Sequence, residues 1–154
     1  MQQLQDLADG RGLIMDALTL LHRSGWTPGR RVDVSEELAF VVSEGFQTTP
    51  AAEGFLREYS GLRVSWETKS NPLVLGGRVA ARGVDSSWCD AYSEALGFTL
   101  SPVGQYSNMT LYVDPNDDLW GGFDDDYGRL GSLLDVIRET FLEPARPFDR
   151  RLET

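Results

Sequence analysis

Two groups of aspartates have the clearest capacity for chemistry in this sequence: Asp114, Asp117 and Asp118, then Asp124, Asp125 and Asp126. Carboxylates at this density can hold a divalent cation, exchange protons as an acid/base pair, or meet a basic partner. The first group lacks the regularly spaced ligands, central Gly and distal Glu of a calcium loop. In the second, three consecutive carboxylates cannot all point at one ion from a strand end, and no His joins them. Set before a helix, they would favour its N-terminus electrostatically. Acid/base pairs are not selected by spacing, because any two carboxylates can meet in space. His22 is the sole histidine. It has no Ser–His–Asp or Cys–His companions, and its place in the last turn of a helix suits the helix dipole. Cys89 is also alone, which precludes an internal disulfide or a cysteine-rich metal site. Gly76-Gly77 and Gly121-Gly122 lack the flanking pattern of a phosphate loop. These features predict no catalytic residue, no metal site and no cofactor.

The charge distribution points instead to binding. Net charge is −10. Residues 1–82 hold nine Arg and Lys against ten Asp and Glu, a net of −1, and residues 129–154 hold five of each. Between them, residues 83–128 carry nine acids and no Arg or Lys: Asp85, Asp90, Glu94, Asp114, Asp117, Asp118, Asp124, Asp125 and Asp126. A nucleic-acid ligand is not expected, since phosphate contacts need basic groups. Two readings of the tract stand: a solvated face that keeps the protein soluble, and a docking face for a basic partner. Charge alone favours the first. The second gains from Trp88, Trp120 and Tyr127, because aromatics among carboxylates suit an interface that anchors Arg and Lys. The predicted partner-binding residues are therefore Asp114, Asp117, Asp118, Trp120, Asp124, Asp125, Asp126 and Tyr127. On this reading the two acidic groups share one edge of a sheet, with Trp120 and Tyr127 as apolar anchors.

The elements that must position these residues follow from periodicity. Leu13, Ala17 and Leu20, with Ile14, Leu18 and Leu21, predict a helix over about 12–24, ended by Gly25. Ser35 is expected to cap a second helix that turns Leu38, Val41 and Val42 inward and stops at Gly45. Thr49-Pro50 opens a third, with Phe55, Leu56 and Tyr59 facing the core. The period then changes. Leu62, Val64 and Trp66 alternate as a strand, and Leu73–Val79 reads as a strand bent at Gly76-Gly77. Trp88–Leu96 is a short helix ended by Gly97. Leu100–Val103, Met109–Val113 and Leu119–Phe123 are strands, the last two joined by the turn-forming Asp114–Asp118. Ser132 and Asp135 form a capping box for a final helix carrying Leu133, Leu134, Ile137 and Phe141. Pro144 and Pro147 end regular structure and leave a frayed tail over 144–154. The whole predicts a single α+β domain over 1–154, with its core at about 13–142. Trp26, between Gly25 and Pro28, is expected to cover the junction of the first helix with the core. If buried, it would cost about 3–5 kcal/mol on truncation. The polar N-terminus is neither a signal nor a transit peptide, and no apolar run approaches the length of a membrane span. The expected location is cytoplasmic, with no membrane partner.

Several segments resemble one family. Ser24-Gly25-Trp26-Thr27-Pro28-Gly29-Arg30-Arg31-Val32 is similar to the "GW-x-PGR-x-V" signature of the third SUKH group of immunity proteins. Phe55-Leu56-Arg57-Glu58-Tyr59-Ser60-Gly61-Leu62 resembles its "FL-x-x-YGGL" helix-to-strand turn, with Ser60 in place of the first Gly. Leu96-Gly97 and Leu100-Ser101-Pro102-Val103-Gly104 resemble its "LG-x-x-L-x-PVG" segment. Leu111–Trp120 stands where the family has a hairpin, without the usual Gly. The resemblance implies an α+β fold with N-terminal helices, a mixed or antiparallel sheet and a C-terminal helix. It also implies immunity to toxins, often nucleases, of bacterial polymorphic toxin systems, with no shared catalytic residues. The implied partner is a cognate toxin domain neutralised by protein–protein contact, and the acidic tract adds the expectation that this domain is basic. A regulatory or scaffold module of the same fold, with an endogenous protein partner, is the alternative.

Overall fold

Alternation along two strands decides the architecture. In Met109–Val113, Leu111 and Val113 enter one apolar cluster while Tyr112 enters another, and Leu119 and Trp120 divide in the same way. Successive side chains of a strand point to opposite faces, so this sheet is covered on both sides. The computed structural model describes residues 15–66, 69–144 and 146–153. Among them are seven strands in chain order, each antiparallel to the next. They are β1 (Arg63–Val64), β2 (Leu73–Leu75), β3 (Ser101–Tyr106), β4 (Met109–Val113), β5 (Leu119–Phe123), β6 (Asp126–Gly131) and β7 (Arg150–Arg151).

Helices α1 (Ala17–Arg23), α3 (Pro50–Tyr59) and α6 (Leu133–Ile137, continued by a π-helical turn over Arg138–Leu142) send Leu20, Leu56 and Ile137 onto one face. Helices α2 (Ser35–Ser43), α4 (Gly77–Gly83) and α5 (Ser86–Leu96) send Val41, Ala81 and Tyr92 onto the other. The result is the expected α+β class, with the sheet between two helical layers.

Local chemistry sets the boundaries. Thr49 caps α3, accepting from the Ala52 amide at 3.1 Å, with Pro50 in the first turn. Both halves of the Ser132–Asp135 capping box are present. Gly97 ends α5 at φ 84°, a left-handed conformation that glycine adopts without strain. In β3 the pairing shifts between Pro102 and Gly104, an irregularity that accommodates a residue with no amide hydrogen.

Several expectations are corrected. Ser35 is the first residue of α2 rather than its cap; Asp33 accepts from the Ser35 amide and hydroxyl instead. Val42 and Leu18 are exposed. Asp16 caps α1, so that helix starts later than expected, and positions 12–14 lie outside the described residues. Leu73–Val79 is not one bent strand, because α4 begins at Gly77. The Glu37 carboxylate accepts from the Gly77 and Arg78 amides and from the Ser60 hydroxyl, which satisfies the first donors of the new helix. A side chain on Gly77 would meet Val41 at 2.9 Å, so the second Gly serves close helix packing. The tail is not frayed throughout, since β7 adds to the sheet edge.

Trp26 is half-buried against the core. Its indole N–H donates to Glu58 at 3.0 Å, and its ring meets His22 edge-on at 5.0 Å. Half-burial halves the expected loss. Trp26→Ala should cost about 2 kcal/mol in a denaturant melt, and a loss under about 0.5 kcal/mol would show that the ring contributes only as surface.

Candidate partner-binding surface

The two acidic groups occupy the turns at the two ends of β5. A five-residue strand separates them by about 17 Å, so they do not share one edge as expected. At one end, Asp114 is buried, 5% exposed. Its Oδ1 accepts from the Asn116 amide at 2.8 Å and the Asp118 amide at 3.0 Å, while Oδ2 accepts from the Trp120 indole at 2.9 Å. Asp117 takes the left-handed conformation at φ 68°, which Asp tolerates better than most residues. Asp118 pairs with Arg129 at 3.0 Å. Asp114 thus shapes its turn rather than presenting charge to a partner.

At the other end, Asp124 and Asp125 turn the chain from β5 into β6. The acidic triplet therefore precedes a strand, not a helix. Asp124 is exposed at φ 53°. The Tyr92 hydroxyl donates to its carbonyl, which ties the turn to α5. Asp125 pairs with Arg151 at 2.9 Å. The acidic tract contains no basic residue, yet the fold brings Arg129 and Arg151 to it from later in the chain. Asp117, Asp124 and Asp126 form no ion pair among the described residues.

The predicted aromatic anchors are not surface groups. Trp120 and Tyr127 are each 5% exposed and belong to the second core cluster, where Tyr127 stacks on Tyr92 at 4.9 Å. Their alternation in β5 and β6 sends them under α5. The exposed aromatic at this end is Phe123, 44% exposed, which nothing in its position at a strand terminus marks out in the sequence. A cleft of about 500 Å³ opens beside it, lined by Asp85, Asp124, Trp88, Phe123, Arg82 and Gln105, among others. Asp85 caps α5, and the Ser87 amide donating to its carboxylate holds its pKa below the usual carboxylate range. This end of the sheet thus joins carboxylates to apolar rings, an arrangement able to take a basic side chain along its aliphatic length.

The remaining reactive groups serve the fold. The Cys89 thiol is buried and donates to the Leu100 carbonyl at 3.3 Å. Burial pushes it up to about 12, far from the thiolate a nucleophile needs. His22 sits at the end of α1 against Trp26, as its position in the sequence suggested. Among the described residues no helix is long and apolar enough to cross a membrane.

No curated protein and no solved structure matched the chain. A family model described as SUKH-3 immunity protein matches residues 15–141, from α1 to the π-helical turn and across every strand but β7. The chain belongs to the SUKH-3 immunity protein family.

Proposed function

We propose that this protein neutralises a cognate toxin by protein–protein contact and has no catalysis of its own. Membership of an immunity family over residues 15–141 carries the reading. The chemistry of the chain agrees with it. The lone thiol is buried, the lone histidine packs on a tryptophan, and the buried aspartate is committed to its turn. The toxin domain that fits is basic and of nuclease type, because an enzyme that grips phosphate needs cationic groups. A concentrated acidic surface would speed its capture and favour it over neutral partners. The location is the bacterial cytoplasm, with neither nucleic acid nor membrane as ligand.

Among the predicted contacts, Asp117, Asp118, Asp124, Asp125 and Asp126 remain available at the surface, and Asp85 and Phe123 join them at the β5–β6 end. Co-expression with a candidate toxin domain, such as one encoded by a neighbouring gene, followed by co-purification and a growth assay, tests the reading. Failure of both capture and rescue would reject it and leave a scaffold module with an endogenous partner.

The electrostatic part has its own test. Asp124→Asn with Asp126→Asn removes two carboxylates and leaves the Asp125–Arg151 pair in place. Association with the toxin should slow by about tenfold at low salt and depend less steeply on ionic strength. Equal stopped-flow rates and equal salt slopes would assign the turn to solubility alone.

A further inference from the structure

The outer edge of β6 is held by very little. This strand runs from Asp126 to Gly131, yet β7 pairs only at Asp126–Arg151 and Tyr127–Arg150. One further backbone bond, from the Leu152 amide to the Asp125 carbonyl at 2.6 Å, extends the contact. The side chains of this short strand match the acidic turn closely. Arg151 pairs with the Asp125 carboxylate at 2.9 Å while remaining 73% exposed. The Arg150 guanidinium lies over the Trp120 ring at 5.5 Å, and Leu152 packs against the second core cluster. On the opposite face, Phe148 lies close over Gly121 and Gly128. None of the described residues from Arg146 to Glu153 is fully buried. A segment bearing three arginines therefore lies beside the acidic β5–β6 turn, and most of its residues are solvent-exposed.

We propose that the outer edge of β6, with the Asp125 carboxylate and the Trp120 ring, is a docking edge for an extended partner segment bearing two consecutive arginines and then an apolar residue, and that the chain's own Arg146–Glu153 holds this edge until that partner displaces it. The inference rests on the reading that the protein acts by binding a basic toxin. It specifies how the acidic end is used. Strand addition supplies backbone hydrogen bonds, the carboxylate and the ring select the arginines, and the slot filled by Leu152 fixes register. A sheet edge guarded by so short a strand would otherwise invite non-specific pairing, so the intramolecular occupant also protects the free protein.

Two measurements on the full chain test this. In hydrogen exchange, the Leu152 amide should open about 100-fold more readily than the amides of Met109–Val113. A labelled peptide of residues 148–153 serves as the probe for docking. It should bind the Arg150→Glu/Arg151→Glu variant, whose own segment is repelled, about tenfold more tightly than the wild type. Adding Asp125→Asn to that variant should abolish the gain. A Leu152 amide as protected as those of β4, or a peptide that binds both chains alike, would overturn the proposal. So would a gain that survives Asp125→Asn. Because no toxin takes part, failure here removes the docking edge and leaves neutralisation by contact standing. The latter fails only when toxin capture and rescue fail.

Discussion

Replacing Asp114 by Ala is expected to cost about 2–4 kcal/mol, because three N–H donors lose their shared acceptor at once. The carboxylate is 5% exposed and receives three donors: the Asn116 and Asp118 amides and the Trp120 indole. Truncation would leave the indole N–H without its acceptor inside the second core cluster, at about 1–3 kcal/mol for such a group. The two amides lie at a solvated turn, so water recovers part of their loss. Release of the turn then loosens Trp120, whose ring also packs against Phe98 at 5.8 Å. Asp114→Asn keeps one acceptor oxygen but sets an amide donor against at least one of the three N–H groups. It should fall between the wild type and Ala. Urea melts with an unchanged slope would read both losses. An Ala variant within about 1 kcal/mol of the wild type would mean that the indole finds another acceptor and that Asp114 is available to a partner after all. If the large loss is found, the folded Asn variant should associate with the toxin at the wild-type rate. A partner contact and a structural clasp are thereby separated.

This residue also shows how far the sequence could be read. Turn chemistry around Asp114–Asp118 and alternation on either side predicted Met109–Val113 and Leu119–Phe123 to the residue. The spacing of Ser132 and Asp135 found the last capping box, because each needs only neighbours along the chain. What failed depends on distant partners. Gly76-Gly77 suggested a bulge because nothing nearby reveals that Glu37 receives the first amides of a helix there. Asp126–Gly131 carries two glycines and little β-propensity, and it becomes a strand because Gly121 and Gly122 in β5 offer it a close, registered neighbour. Arg150–Arg151 has no strand signal at all; its acidic complement is made by the fold. The candidate site failed for a related reason. A run of acids in sequence maps to both ends of one strand, and Trp120 and Tyr127 are core because helices cover both faces of the sheet, which alternation along a single strand does not reveal.

At the β5–β6 end, the position of the exposed carboxylates depends on one core ring. Tyr92 is 1% exposed and packs on Tyr127 at 4.9 Å, Tyr112 at 5.7 Å and Trp88 at 6.4 Å. It lies so close over β5 that a Cβ on Gly122 would stand 2.6 Å from the ring, which explains a glycine in a strand interior. Its hydroxyl donates to the Asp124 carbonyl, and its pKa is raised by burial first and by the Asp124 charge second, so it remains a neutral donor. Tyr92→Ala should cost about 3–5 kcal/mol, because it opens a cavity between three aromatic neighbours. Tyr92→Phe keeps the ring and removes only the tether, at about 1 kcal/mol. The two variants therefore separate packing from positioning. Phe should leave the denaturation midpoint near that of the wild type while the Asp124 and Asp125 amides exchange faster, since their left-handed turn loses its anchor to α5. If Phe is as damaging as Ala, the hydrogen bond rather than the ring holds this end of the sheet. If Phe leaves exchange at the turn unchanged, β5–β6 pairing alone fixes the carboxylates, and α5 contributes to the surface only through Asp85 and Trp88.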